Sequence, residues 1–113
     1  KMSGFKIGDG YGGIFRNLGQ YNGGSTLTTN YSISKSTAGG CAIVLCSNHG
    51  STTLSYIRAG LYLIEFPYND TSINVSHVAH DHEWTFGVSS NVLTVTGGSQ
   101  NWTSTVVLLG NKS

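Results

Sequence analysis

The sequence is poor in charge, proline and cysteine. Only 10% of its 113 residues are charged, against about a quarter in an ordinary soluble domain. The cations Lys1, Lys6, Arg16, Lys35, Arg58 and Lys112 are scattered, and the net charge is only +1. No basic stripe can neutralise a row of phosphates, so no nucleic-acid partner is expected. No apolar run approaches the ~18–20 residues of a membrane-crossing helix, so membrane insertion is not expected either. Helical periodicity is missing throughout, which leaves no significant helix to place. The one proline, Pro67, follows Phe66, where it is expected to end a strand or lie at an edge.

Chemistry-bearing motifs are scarce as well. The acids are Asp9, Glu65, Asp70, Asp81 and Glu83. Glycoside hydrolysis needs two of them facing one cleft, and the one conceivable pairing is Glu65 with Asp81 or Glu83. No Gly-x-Ser-x-Gly elbow occurs. Gly8-Asp9-Gly10-Tyr11-Gly12-Gly13 lacks the Lys-Ser/Thr and the helix of a phosphate-binding loop, and reads as a turn-rich entry segment. We therefore expect no enzymatic activity and no cofactor.

Two cysteines remain. Cys41 and Cys46 flank Ala42-Ile43-Val44-Leu45, an apolar, β-branched stretch that reads as a buried strand. Residues five apart on a strand face opposite ways and lie about 16 Å apart. A disulfide needs Cα atoms within about 7 Å, so two buried thiols acting as small hydrophobes are expected. Unpaired thiols favour assembly in a reducing compartment. Five Asn-x-Ser/Thr triplets, at Asn30, Asn69, Asn74, Asn101 and Asn111, point instead to export, but such triplets come readily with this composition.

What is abundant is glycine, at 16 residues, together with hydroxyl side chains and alternation. Leu27, Thr29, Tyr31 and Ile33 share one face of a half-buried strand. Strands are also expected at 53–57, at 61–66, over the alternating set Ile73, Val75, His77 and Ala79, and at 84–88, 92–96 and 103–109. Arg58-Ala59-Gly60 reads as a tight turn; Ser89-Ser90-Asn91 and residues 97–101 read as hairpin connections. About nine strands at spacings of about 8–12 residues, with no helical crossovers, predict an all-β fold. It should be a compact antiparallel β-sandwich, jelly-roll or Greek-key-like. Residues 1–113 make a single domain, with 1–12 as a linker from an upstream segment. Lys1-Met2-Ser3 reads as the edge of an excised domain, not as a targeting signal.

Two groups of side chains are candidate binding residues. Tyr11, Tyr21, Tyr68 and Trp102 lie near Gly- or Asn-rich loops, where amphipathic rings offer contact area at low entropic cost. Tyr62 and Trp84 lie in apolar strands and are expected in the core. The run His77-Val78-Ala79-His80-Asp81-His82-Glu83 is the densest polar cluster. If extended, it would put His80 and His82 on one face with His77 opposite. Three readings stay open for His80 and His82: a solvated turn, a metal site, or a pH-sensitive patch.

The terminal Ser90-Asn91-Val92-Leu93-Thr94-Val95-Thr96-Gly97-Gly98, followed by Thr105-Val106-Val107-Leu108-Leu109-Gly110-Asn111-Lys112, resembles the receptor-binding heads of trimeric viral fibres. Adenovirus, reovirus and phage tail fibres carry heads of this kind. Arg58-Ala59-Gly60-Leu61-Tyr62-Leu63-Ile64 is also similar to the Gly-x-Tyr strand of trimeric C1q/TNF-like jelly rolls. The resemblance is one of pattern, and no family site maps onto individual residues. It implies a homotrimer beyond a shaft, exposed on the virion surface and assembled inside the host cell, that binds a cell-surface glycan or protein receptor. The alternatives are an extracellular, secreted carbohydrate-binding module or lectin, and a small glycoside hydrolase.

Overall fold

The computed structural model describes residues 5–7, 13–33, 39–100 and 102–111. Tyr11, most of the 1–12 linker and the Gly8–Gly12 part of the entry segment lie outside them. Nine strands are described: β1 (Phe5–Ile7), β2 (Gly13–Asn22), β3 (Thr26–Ser32), β4 (Gly40–His49), β5 (Arg58–Phe66), β6 (Asn74–His80), β7 (Trp84–Ser89), β8 (Val92–Gly97) and β9 (Thr103–Asn111). All pairings are antiparallel. They form a six-stranded sheet, β1-β2-β9-β4-β5-β6, and a three-stranded sheet, β3-β8-β7. The predicted all-β sandwich is the fold.

Period-two alternation decides which side chains meet between the sheets. From the larger sheet come Ala42, Val44 and Cys46 of β4, Tyr62, Ile64 and Phe66 of β5, and Val106 and Leu108 of β9. From the smaller come Tyr31 of β3, Trp84 of β7, and Leu93 and Val95 of β8. Tyr31 meets Phe66 across the gap with ring centroids 5.8 Å apart. Each fully buried large side chain contributes roughly 1.5–3 kcal/mol. Tyr62 and Trp84 are core residues, as their strand contexts imply. The β7–β8 connection is the expected hairpin, tightened to the two residues Ser90 and Asn91, with Ser89 the last residue of β7. Ser90 and Asn91 have φ of 49° and 65°, a pair of left-handed residues whose twist suits a tight hairpin.

Four local expectations are corrected. Residues 53–57 are not a strand: Leu54–Tyr56 is a 3-10 turn, closed by Tyr56 N–H donating to the Thr53 carbonyl and Ile57 N–H to that of Leu54. The alternation of Leu54 and Tyr56 there has no partner strand to satisfy. Arg58-Ala59-Gly60 is not a turn but the start of β5, with Arg58 opposite Asn48. Residues 97–101 do not close a hairpin, because β8 lies in the small sheet while β9 pairs with β2 and β4. Finally, only Cys46 is buried; Cys41 is exposed. The stretch between them reads as covered on both sides, yet only one side of β4 faces the core.

The outer side of β4 continues over several strands. Register aligns Phe15, Leu109, Ile43 and Leu63 in one row across β2, β9, β4 and β5, and Val107, Leu45 and Leu61 in the next. Phe15, Ile43 and Leu45 are 43%, 42% and 45% exposed.

Candidate functional site

At one end of the sandwich three connections converge. The turn after β2 donates Gly23 N–H to the Trp102 carbonyl at 2.8 Å and Gly24 N–H to the Gly97 carbonyl at 2.9 Å. The β8–β9 crossover closes on itself through Trp102 N–H to the Ser99 carbonyl at 3.2 Å. The β4–β5 loop lies against the indole at Gly50, where a Cβ would sit 3.0 Å from Trp102 Cδ1. Trp102 is half-buried, and its ring pairs with that of Tyr56 at 6.3 Å and 33°. Tyr56 is 55% and its neighbour Leu54 83% exposed. These apolar side chains stand in solvent on a loop shaped by the 3-10 turn, and they make it a candidate contact surface.

A buried polar network anchors this end. Asn48 is fully buried on β4. Its amide oxygen accepts from Ser99 N–H at 2.8 Å, and its amide nitrogen donates to the Thr103 carbonyl and to Ser104 Oγ, each at 3.2 Å. Trp84 Nε1 donates to Ser104 Oγ at 3.4 Å. The side chain of one β4 residue thereby fixes both flanks of the segment that carries Trp102. Tyr21 belongs to this framework: it packs on the core, and its hydroxyl donates to the Gly97 carbonyl at 3.0 Å. Burial pushes the Tyr21 phenol up to about 12.

The remaining sequence candidates lie elsewhere. Tyr68 is exposed at the opposite end of the sandwich, past Phe66. That end carries an open groove of about 430 Å³ lined by Glu65, Phe66, Pro67 and Asn74 among others. Glu65 accepts there from Asn74 Nδ2 at 2.7 Å. Tyr68 and Trp102 are thus separated by the length of β5, roughly 25–30 Å.

The histidine run folds differently from its extended form. His80 has φ of 63°, and the β5–β6 register shifts between Leu61 and Tyr62. A bulge with a left-handed residue reverses the alternation. His77 and His82, expected on opposite faces, therefore stack with centroids 4.5 Å apart and planes within 12°. Both rest near Tyr62, whose hydroxyl donates to the Asp81 carbonyl at 3.0 Å and accepts from Trp84 N–H at 3.2 Å. Burial is the main cause of the raised pKa of Tyr62. His80 stands opposite Gly60 and apart from this pair. No group of three or more His, Cys, Asp or Glu among the described residues is disposed to hold a metal ion.

The paired-carboxylate alternative does not form. Asp81 Oδ2 accepts from Ala59 N–H at 3.0 Å, at the start of β5, and Glu83 pairs with Arg58 at 3.2 Å. Glu65 lies at the far end of the strand, six residues on, about 20 Å away. Glycosidase carboxylates stand roughly 5–9.5 Å apart.

Tyr56 is the site residue that sequence reasoning missed. Its alternation with Leu54 reads as a strand, and no feature of the sequence distinguishes that from the 3-10 turn observed.

No protein-family model matches the sequence, and no curated protein matches it significantly. Among solved structures the chain is similar to tailspike protein gp49 of Acinetobacter baumannii bacteriophage Fri1, a capsular polysaccharide depolymerase. The TM-score is 0.62 at 13% identity, over 99% of this chain and 20% of that one. It is also similar to the tailspike protein of Acinetobacter phage vB_ApiP_P1, with a TM-score of 0.54 at 14% identity, over 88% of this chain and 21% of that one. The chain spans about a fifth of the length of each tailspike, and what it shares with them is the fold of one part.

Proposed function

We propose that this chain is an attachment domain of a phage tailspike or fibre. It forms a homotrimer through the outer face of the six-stranded sheet, is carried on the virion surface, and binds a glycan or protein on the host cell without catalysing a reaction. One observation carries the reading: the rows of Phe15, Leu109, Ile43 and Leu63 and of Val107, Leu45 and Leu61 make a continuous apolar outer face among the described residues, with Phe15, Ile43 and Leu45 exposed and the other four partly exposed. A pleated apolar face of this kind gains from being removed from water, and closed symmetry does so without open-ended association. The likeness to one part of two tailspikes supports the phage setting.

Sedimentation equilibrium at micromolar concentration tests it. The chain is expected to be a trimer, and the double variant Ile43→Glu/Leu45→Glu a folded monomer, because both side chains point away from the core. A strictly monomeric parent chain overturns the trimer.

A further inference from the structure

We infer that Tyr56 and Trp102 form a stacking site for an uncharged pyranose ring of a host-surface saccharide. This rests on the attachment reading and names its ligand and its residues. The aromatic faces carry partial negative charge, and the C–H-rich face of a pyranose is their natural partner. The two rings lie 6.3 Å apart with their planes 33° from each other, close enough for one saccharide to span both. Leu54 and Ile57 add an apolar shoulder at 83% and 38% exposure.

The site is fixed before any ligand arrives. Trp102 is held by its backbone bonds to Gly23 and Ser99 and by Gly50 against its ring. Tyr56 sits on a loop braced by Thr53 N–H to Ser51 Oγ at 3.0 Å and by the two bonds of the 3-10 turn. Such preorganisation lowers the ordering cost that weakens sugar binding.

The ligand is assigned as uncharged because Arg58, which opens β5 beside this loop, is already engaged. Arg58 pairs with Glu83 at 3.2 Å and donates to the Ser55 carbonyl at 3.4 Å. The location also separates this surface from the proposed trimer contact. It lies on the loops beyond His49 of β4, whereas the apolar rows lie along the sheet.

Calorimetric titration of the 113-residue chain with purified gluco-, galacto- and manno-configured neutral hexasaccharides, and with a uronic-acid hexasaccharide, tests the inference. At least one neutral probe is expected to bind. Tyr56→Ala and Trp102→Ala should each weaken that binding tenfold or more, Trp102→Phe should retain most of it, and sedimentation should be unchanged in all three. No binding by any neutral probe, binding by the uronic-acid probe alone, or binding indifferent to both alanine variants overturns the inference. Each of these results can coexist with an intact trimer. A monomeric chain that still binds a neutral probe through Tyr56 and Trp102 supports the stacking site and overturns the trimer alone.

Discussion

Gly60 shows how little room the core leaves at the junction of β5 with the segment before β7. A Cβ there would lie 2.5 Å from the Asp81 carbonyl, 2.9 Å from the Tyr62 ring and 3.1 Å from that of Trp84. The carbonyl is backbone and accepts the Tyr62 hydroxyl, so it cannot swing aside. Gly60→Ala is expected to destabilise the fold by about 1–3 kcal/mol, the usual cost of overpacking, read from urea unfolding. Buried acids set a second expectation. Desolvation raises Cys46 from 9.0 to about 12, and burial foremost raises Tyr21 from 10.0 to about 12. The unfolded chain therefore releases these protons first. Their contribution to stability is intact below about pH 9 and is lost as pH rises toward 12, since the unfolded state then binds fewer protons than the folded one. The urea midpoint should fall steadily above pH 9. In Cys46→Ala the decline should begin about one pH unit later, where the tyrosines take over.

At the scale of elements, the β7–β8 hairpin is the part most directly written in the sequence. Ser90 and Asn91 both occupy the left-handed region, a conformation that Asn tolerates and Gly favours. Replacing the pair by Asn-Gly, through Ser90→Asn with Asn91→Gly, should raise stability in the same unfolding assay, by relieving part of the roughly 1–2 kcal/mol that a side chain costs in the left-handed region. Ser90→Val should lower it, because a β-branched residue resists positive φ. Other strands were legible for a similar reason: alternation such as Leu27, Thr29, Tyr31 and Ile33 survives whatever the partner strand is. Sheet membership was not legible. Nothing in Gly97-Gly98-Ser99-Gln100 distinguishes a hairpin loop from a crossover between sheets; the decision rests on β9 finding β2 and β4. Register within β6 was hidden as well. One bulge and one left-handed histidine exchange the partners of His82, and neither His80 nor Val78 announces that by type. At the candidate site Trp102 was visible from its loop context, whereas Tyr56 was masked by an alternation that turned out to be local.

For the whole molecule, the sheet face and the loop platform make a joint prediction that neither makes alone. If three copies associate through Phe15, Ile43, Leu45, Val107 and Leu109, each assembly carries three copies of the Tyr56–Trp102 surface. A second contact on one polymer chain is then intramolecular, and its strength depends on effective concentration instead of on new interactions. A short oligosaccharide can occupy only one platform, so the parent chain and the Ile43→Glu/Leu45→Glu monomer should bind it with equal affinity per site. A long, surface-immobilised polysaccharide can engage several, so the parent should be retained more tightly than the monomer by about 10²-fold or more. Surface plasmon resonance with both forms, on an immobilised polymer and with its hexasaccharide as soluble competitor, reads the difference directly. Equal retention of trimer and monomer on the polymer would mean that the three platforms cannot reach one chain together. Unequal affinity for the hexasaccharide would mean instead that the sheet face and the platform are coupled through the fold. The Asn48 amide, on the strand that carries Ile43 and Leu45, would then be the place to look, since it holds both flanks of the Trp102 segment.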